Sequence, residues 1–254
     1  MIVATWNVNS VRVRLCQLIS FLRDNNVDVI LLQELKCTTE MFPYEPLEDI
    51  GYNCLVYGQK TYNGVAILSK HKIEEQKIGS DIFRGDTHAR YVEALINGFT
   101  IASVYVPNGG LDTSLDPFFY KLRFIDILTT YLSNIAKTER LIIGGDFNIT
   151  RGNIDVYDPK LWAEKVCCTS EERLAFHDML DVGLIDNHRK IAGTEKIYTW
   201  WDYRRESFRK NHGLRIDYML TTNNVSVTRC MVDVQMRELV RPSDHAPIIM
   251  DVLQ

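Results

Sequence analysis

The strongest constraint on what this chain can fold into is a set of short apolar runs, several of which stop on an acid or an amide. Eleven runs read as strands: 2–8, 27–33, 52–58, 65–70, 91–96, 99–107, 141–149, 198–201, 215–220, 225–233 and 246–252. Many, such as VDVILLQ (27–33) and FTIASVYVP (99–107), are β-branched and almost free of polar residues. A strand with one wet face alternates, whereas an unbroken apolar run needs cover on both faces. Three segments can supply that cover as helices. Residues 11–25 set Val11, Leu15, Leu18, Ile19 and Leu22 on one stripe, with Asn9 or Ser10 as the expected cap. Residues 117–137 align Leu122, Ile125, Leu128, Leu132 and Ile135, and residues 169–180 open with a Thr169–Glu172 capping box. Asn97-Gly98 predicts a two-residue hairpin turn. Hairpins mixed with β-α-β units predict an α+β chain, its sheets packed together and its helices outside. No repeat, linker or low-complexity stretch divides it, so residues 1–254 are expected to form one domain.

The strand ends carry the chemistry. Asn7 follows IVATW, Glu34 follows VILLQ, and Asp146 and Asn148 follow LIIGG. Asp217 lies in RIDYML, and Asp244-His245 precedes the last strand in PSDHAPI (242–248), a loop that two prolines stiffen. A carboxylate at the edge of a buried sheet is costly unless a cation or hydrogen bonds satisfy it. Five such positions suggest convergence on one site. Carboxylate and amide oxygens are hard ligands, suited to Mg²⁺, with Mn²⁺ a ready substitute; zinc would recruit several His or Cys. Phosphodiester hydrolysis needs such a metal, a base for water and donors for the phosphate oxygens. Glu34 can serve the metal, Asp146 the base, and Asn108, Asn148 and His245 the donors.

The net charge of −4 counts mildly against a polyanion partner, although a basic rim can surround an acidic centre. The six cysteines form no C-x-x-C pair, and MIVATWNVNS has neither a basic n-region nor an apolar h-region. Free thiols and a reducing cytoplasm are the expectation. No apolar run approaches the ~20 residues that span a bilayer, so no membrane partner is expected.

Eight pieces in order extend this reading: TWNVNSVR (5–12), LLQELK (31–36), YNGVAILSK (62–70), VYVPNG (104–109), GGDFNI (144–149), TWWDYR (199–204), LRIDYML (214–220) and PSDHAPI (242–248). Together they resemble the exonuclease III family of apurinic/apyrimidinic endonucleases, in the compact bacterial form, within the endonuclease/exonuclease/phosphatase superfamily. The resemblance runs from residue 2 to residue 252. It implies a four-layer sandwich of two face-to-face mixed sheets flanked by helices. It implies a Mg²⁺-dependent repair nuclease that cuts double-stranded DNA 5′ to abasic sites and trims damaged 3′ ends, as a monomer. The matching positions imply roles. Glu34 binds the metal, Asn7 lies beside it and Asp244 touches a metal. Tyr105 and Asn108 contact the scissile phosphate. Asp146 positions or deprotonates the attacking water and Asn148 orients it. Asp217 holds His245, which meets the phosphate as a cation.

The segment TWWDYRRESFRKNHGLR (199–215) interleaves Trp200, Trp201, Tyr203 and Phe208 with Arg204, Arg205, Arg209, Lys210 and Arg215, which suits a DNA backbone and an extruded sugar. By the resemblance, Trp200, Leu214 and Ile216 wall the sugar pocket, and Lys36, Tyr62, Asn63 and Arg90 reach phosphates. Two positions depart from the pattern. Leu111 stands where some relatives place a probing arginine, and Asn9 where some carry a second acidic ligand. Two alternatives remain open at this level. One is another phosphodiesterase or phosphatase of the superfamily acting on an inositol phosphate or RNA. The other is a non-catalytic nucleic-acid binder, which should have lost at least one of Glu34, Asp146, Asn148, Asp217 or His245.

Overall fold

The computed structural model describes residues 1–110 and 113–253; Leu111 lies outside the described residues. Two six-stranded mixed sheets form the centre. The first runs β11 (Val227–Val232), β12 (Ile248–Val252), β1 (Ile2–Asn7), β2 (Val29–Gln33), β4 (Val65–Ser69), β3 (Asn53–Tyr57). The second runs β5 (Glu74–Ile78), β6 (Tyr91–Ile96), β7 (Phe99–Tyr105), β8 (Leu141–Asp146), β10 (Asp217–Thr222), β9 (Leu184–Asp186).

Strand alternation sorts the apolar runs into three buried layers. Val3, Val29, Leu31 and Ile67 of the first sheet meet Val92, Ile101, Ile142 and Met219 of the second. Their neighbours Ala4, Trp6, Ile30 and Leu32 face outward onto Leu18, Phe21 and Leu22 of α1 (Leu15–Asp24), with the short helices α2 (Tyr44–Glu48) and α3 (Gly79–Ile82) following in the chain. On the other side Ala102, Val104, Ile143 and Leu220 pack against α4 (Asp116–Ile135) and α5 (Ser170–Asp181). Both faces of each sheet are therefore covered, which is why the strands read as unbroken apolar runs. Gly144 leaves room for its neighbour Met219 and for Leu31 of the facing sheet: a Cβ there would lie 2.5 Å from Met219 Sδ and 2.8 Å from Leu31 Cδ1.

Topology gathers the strand ends. β1 and β2 run parallel, as do β7 and β8, and each ends on a site residue or just before one. β10 runs antiparallel to β8 and sets Asp217 opposite Asp146. β12 runs antiparallel to β1, so its entering loop returns to the same rim. The Asn97-Gly98 turn joins β6 to β7 with both residues at positive φ, 51° and 76°. The Thr169–Glu172 capping box is formed.

The structure corrects four sequence expectations. α1 starts at Leu15, not at residue 11: Asn9 and Ser10 have φ of 44° and 89° and form a turn instead of capping the helix. YTWW (198–201) is not a strand; Trp200 makes isolated bridges to Leu214 and to His245. Arg215 does not face DNA. Its guanidinium is buried, with Nε 2.7 Å from Asp155 and Nη2 2.8 Å from Asp186, because two buried carboxylates need a cation. Trp201 is likewise interior, packed edge-on to Phe208 and donating to Asn211.

Beside Arg215, α6 (Asn187–Ala192) buries His188 to 2% exposure. Burial and then the Arg215 charge pull its pKa down to about 4. An unfolded His titrates near 6.5, so below that pH the unfolded chain takes up a proton that the fold refuses. Stability should therefore fall as pH drops from 6.5 towards 4, by roughly 2 kcal/mol at pH 5. Urea unfolding at pH 7 and pH 5 checks this. His188→Gln should flatten the dependence, and an equal slope in parent and variant would assign the loss elsewhere.

Candidate active site

The residues that end or precede β1, β2, β7, β8, β10 and β12 meet at one rim. Asn7 closes β1 and its Nδ2 donates to Glu34 Oε1 at 2.8 Å and to Asp146 Oδ2 at 3.0 Å. Its oxygen accepts the backbone N–H of Asn9, so Asn7 joins the centre through its N–H groups. Glu34 follows β2 at φ 52°, a conformation a non-glycine side chain holds only when its surroundings impose it. Its Oε1 also accepts Tyr105 Oη at 3.1 Å, and its Oε2 lies 2.8 Å from Lys36 Nζ.

Asp146 is 1% exposed at the end of β8, and its Oδ1 accepts the backbone N–H of Asn148 at 2.9 Å. Asn148, at φ 52°, accepts Asn108 Nδ2 at 3.1 Å and donates to the Val106 carbonyl. Behind the Asp146 carboxylate stands His245. Its Nδ1 meets Asp217 Oδ2 at 2.9 Å and its Nε2 lies 3.7 Å from Asp146 Oδ2. Asp217 thus fixes the ring across 28 residues of sequence. The Pro242 carbonyl accepts Arg14 and Tyr203, and Trp6 Nε1 holds the His245 carbonyl, so the PSDHAPI loop is pinned at both flanks.

Electrostatics follow from the crowding. Burial opposes the His245 charge, but Asp217 and Asp146 outweigh it and lift the imidazole to about 10. Burial holds the Asp146 carboxyl well above the usual range although the His245 charge pulls the other way. Asp244 stays low: burial would raise it, but the His245 charge, Trp200 Nε1 and Asn9 Nδ2 prevail. Both Asp244 oxygens accept those N–H groups, so it orients Trp200 directly.

Glu34, Asp146 and His245 bring one ligand atom each to within 4.8 Å of one another. The two carboxylates fit a hard divalent cation, whereas His245, held as a cation by Asp217, has no free lone pair to offer one. The Lys36 ammonium against Glu34 Oε2 shows that carboxylate already turned to a cation.

In front of the centre opens a cavity of about 600 Å³ that reaches Trp162, Val166, Cys167, Trp200, Leu214 and Ile216. Val156, Cys168, Leu214 and Ile216 form a small apolar cluster against Trp200 and Trp162. Not every expected contact comes here. Tyr62 is 69% exposed and does not line the cavity. Arg90 lies 4.9 Å over the Tyr105 ring and donates to the Tyr105 carbonyl. Lys36 is engaged with Glu34 and Asn9.

A sequence model described as the endonuclease/exonuclease/phosphatase family matches residues 4–245. The chain is 33% identical to exodeoxyribonuclease III of Haemophilus influenzae, over 96% of this chain and 97% of that one. The chain belongs to the exonuclease III family. Among solved structures of that fold, a 3′ phosphatase from Neisseria (NExo) bound to a product DNA hairpin superposes with a TM-score of 0.97 at 38% identity, covering 100% of each chain. An AP endonuclease from Archaeoglobus fulgidus superposes with a TM-score of 0.94 at 32% identity, covering 99% of each. The four-layer sandwich is thus the fold of the family, and among the described residues no helix is long and apolar enough to cross a membrane.

Two functional neighbours of the exonuclease III centre escaped the sequence reading. Lys121 on α4 is fully buried, and its Nζ donates to the carbonyls of Asn108, at 3.2 Å, and Asn148, at 2.7 Å, and to Glu172. Glu172 in turn accepts the backbone N–H groups of Cys167 and Thr169. The signal was present: Lys121 occupies the helical face shared by Phe118, Ile125 and Leu128, where a lysine is out of place.

Proposed function

We propose that the chain is a Mg²⁺-dependent DNA repair nuclease that cleaves the phosphodiester 5′ to abasic sites in duplex DNA. In the same centre it removes nucleotides and blocking groups from 3′ ends. The observation that carries this is a carboxylate, imidazole and amide cluster opening onto an apolar-walled cavity, on a chain whose relatives bear the names exodeoxyribonuclease III, 3′ phosphatase and AP endonuclease. A monomer working in the cytoplasm is part of the same reading.

The residues divide the work. Asp146, its carboxylate aimed by Asn7 and by the Asn148 backbone, positions a water and takes its proton. His245, kept cationic by Asp217, donates to a non-bridging phosphate oxygen. Asn108, Asn148 and Tyr105 supply further polar groups around the phosphate. Mg²⁺ held at Glu34, with Asp146 and Asn7 beside it, would offset charge on the phosphate and the leaving oxygen. Leu214, Ile216 and Trp200 receive the sugar, and their apolar surface favours a missing base over a paired one.

The test is incision of a labelled duplex carrying one abasic site, beside an intact duplex and a recessed 3′ end, with Mg²⁺ and with chelator. Metal-dependent incision at the abasic site, leaving a 3′-hydroxyl, is the expected result. Well-folded protein that leaves all three intact in Mg²⁺ overturns the reading. A second check addresses His245. Asp217→Asn removes the anion that outweighs burial, so the imidazole should lose its proton at lower pH. The alkaline limb of the kcat/KM profile should move down by about one pH unit or more. An unmoved limb would deny His245 its role as a cation.

A further inference from the structure

Lys121, Arg215 and Arg237 are the buried lysine and arginines among the described residues. Glu172 compensates Lys121, and Asp155 and Asp186 compensate Arg215. Arg237 is different. It is 5% exposed, in the short 3₁₀ turn Val234–Glu238, and among the described residues no carboxylate stands within ion-pair distance of it. Its guanidinium lies instead among three rings, 5.0 Å from the Phe208 centroid, 5.5 Å from Tyr203 and 5.9 Å from Trp201. Taking a charge out of water without a paired anion costs stability. An apolar side chain of the same length would fill the space between the rings without that cost, so stability alone gives no reason for an arginine here.

What the guanidinium holds supplies the reason. Its Nη1 donates to the Ser243 carbonyl and its Nη2 to the Trp201 carbonyl, the latter at 3.4 Å. These carbonyls belong to two separate segments that both reach the catalytic cavity: Ser243 directly precedes Asp244 and His245, and Trp201 directly follows Trp200. The backbones of the two segments are joined where Trp201 N–H donates to the Asp244 carbonyl at 3.1 Å and Ala246 N–H to the Thr199 carbonyl at 2.7 Å. Ser243 is gripped on another side as well. Its Oγ donates to the Asn7 carbonyl at 2.7 Å and accepts the His245 N–H at 3.2 Å. One fork therefore ties the loop that carries the imidazole to the segment that carries Trp200.

We propose that Arg237 is a positioning residue for the reaction, whose two-pronged grip on the Ser243 and Trp201 carbonyls sets where His245 and Trp200 stand relative to each other. This rests on the nuclease reading above and adds to it a residue outside the cavity lining. The task needs a guanidinium. A planar fork reaches two carbonyls at once and suits aromatic neighbours, whereas an ammonium is a single point of charge on a flexible stem. Lysine should therefore be no substitute, although it keeps the charge. Loss of the fork leaves the Asp244-His245 loop and the Trp200 segment free to shift against each other, and small misplacements of a reacting group cost rate far more than they cost binding.

The test is single-turnover incision of an abasic duplex by the full chain in Mg²⁺, with equilibrium binding of the same duplex in chelator and a thermal melt beside it. Arg237→Met keeps a stem against the rings and leaves no interior carboxylate unpaired, so it should fold. Arg237→Met and Arg237→Lys should both cut roughly tenfold more slowly or worse, while binding stays within about threefold of the parent. Arg237→Ala opens a space between the rings and the two carbonyls. Guanidinium ion, far below the concentration that unfolds proteins, should raise its rate severalfold, and sodium at the same ionic strength should not. Folded Met and Lys variants that cut at the parental rate would make the arginine a stabilising element and overturn the proposal. Binding that falls in step with the rate would overturn it too, as would a folded Arg237→Ala whose rate guanidinium leaves unchanged. If Arg237→Ala does not fold, the Met and Lys variants decide alone. A parent that leaves the abasic duplex uncut would overturn the nuclease reading itself, whatever the variants do.

Discussion

Asp146→Asn should cut turnover on abasic duplex about 10³-fold while leaving the protein at least as stable as its parent. The two halves of that result have one cause. Asp146 is buried at the end of β8 among Glu34, Asp217 and His245, and burial raises its pKa well above the usual range. An acid whose folded pKa is raised costs stability at every pH above its unfolded value, because the unfolded chain releases a proton that the fold retains. The fold alone thus favours the neutral acid, whereas a base that takes a proton from water needs the anion, which a divalent cation beside Asp146 would favour. Asparagine keeps the side-chain oxygen that accepts the Asn148 backbone N–H and removes the anion. The KM for abasic duplex should change little, because Trp200, Leu214 and Ile216 are untouched. Single-turnover rates and thermal melts of the two proteins settle it. A variant that loses activity only in proportion to lost structure would show Asp146 to be a structural residue.

Sequence alone carried much of this because the sheets are buried on both faces. Runs such as VDVILLQ and LIIGG have no other stable place, and the polar residue that ends each run marks the rim. What was missed obeys the same physics. β5 (EEQKI) is an exposed edge strand with no inward face to announce it, and charged residues are how edges avoid unwanted pairing. β9 is three residues long, below what a pattern can resolve. YTWW looked like a strand because its residues pack like one, yet its backbone serves two isolated bridges instead of a ladder. Within the site, Asn7, Glu34, Asp146 and Asp217 were legible as polar breaks in apolar runs. That Asp217 belongs to His245 came only through the resemblance, since one opens β10 and the other precedes β12 in the facing sheet, and no local pattern encodes their meeting. Arg215 was misread for a related reason. In a string, a basic residue beside aromatics looks the same whether it faces phosphate or is enclosed by Asp155 and Asp186.

Lys121→Met should cost stability heavily, and it should damage catalysis for a reason separable from that loss. The ammonium is fully buried, and methionine of similar length leaves Glu172 as an uncompensated interior carboxylate. Breaking a buried pair from one side costs about 3–5 kcal/mol, which lowers the melting temperature by roughly 10 °C. Lys121→Met combined with Glu172→Gln removes both charges and keeps an oxygen for the Cys167 and Thr169 N–H groups, so most of that stability should return. Activity should not return with it. Lys121 is the group that ties the Asn108 and Asn148 carbonyls to one point, and Gly109 accommodates it at φ 92°, where an added Cβ would sit 3.0 Å from Lys121 Cδ. Without the ammonium the Asn108 and Asn148 backbones lose their common anchor, while Leu214, Ile216 and Trp200 stay in place. The refolded double variant should therefore keep its KM within about threefold and lose kcat by roughly tenfold or more, as expected when a positioning contact is lost. Full recovery of kcat in the double variant would reduce the ion pair to a stabilising element.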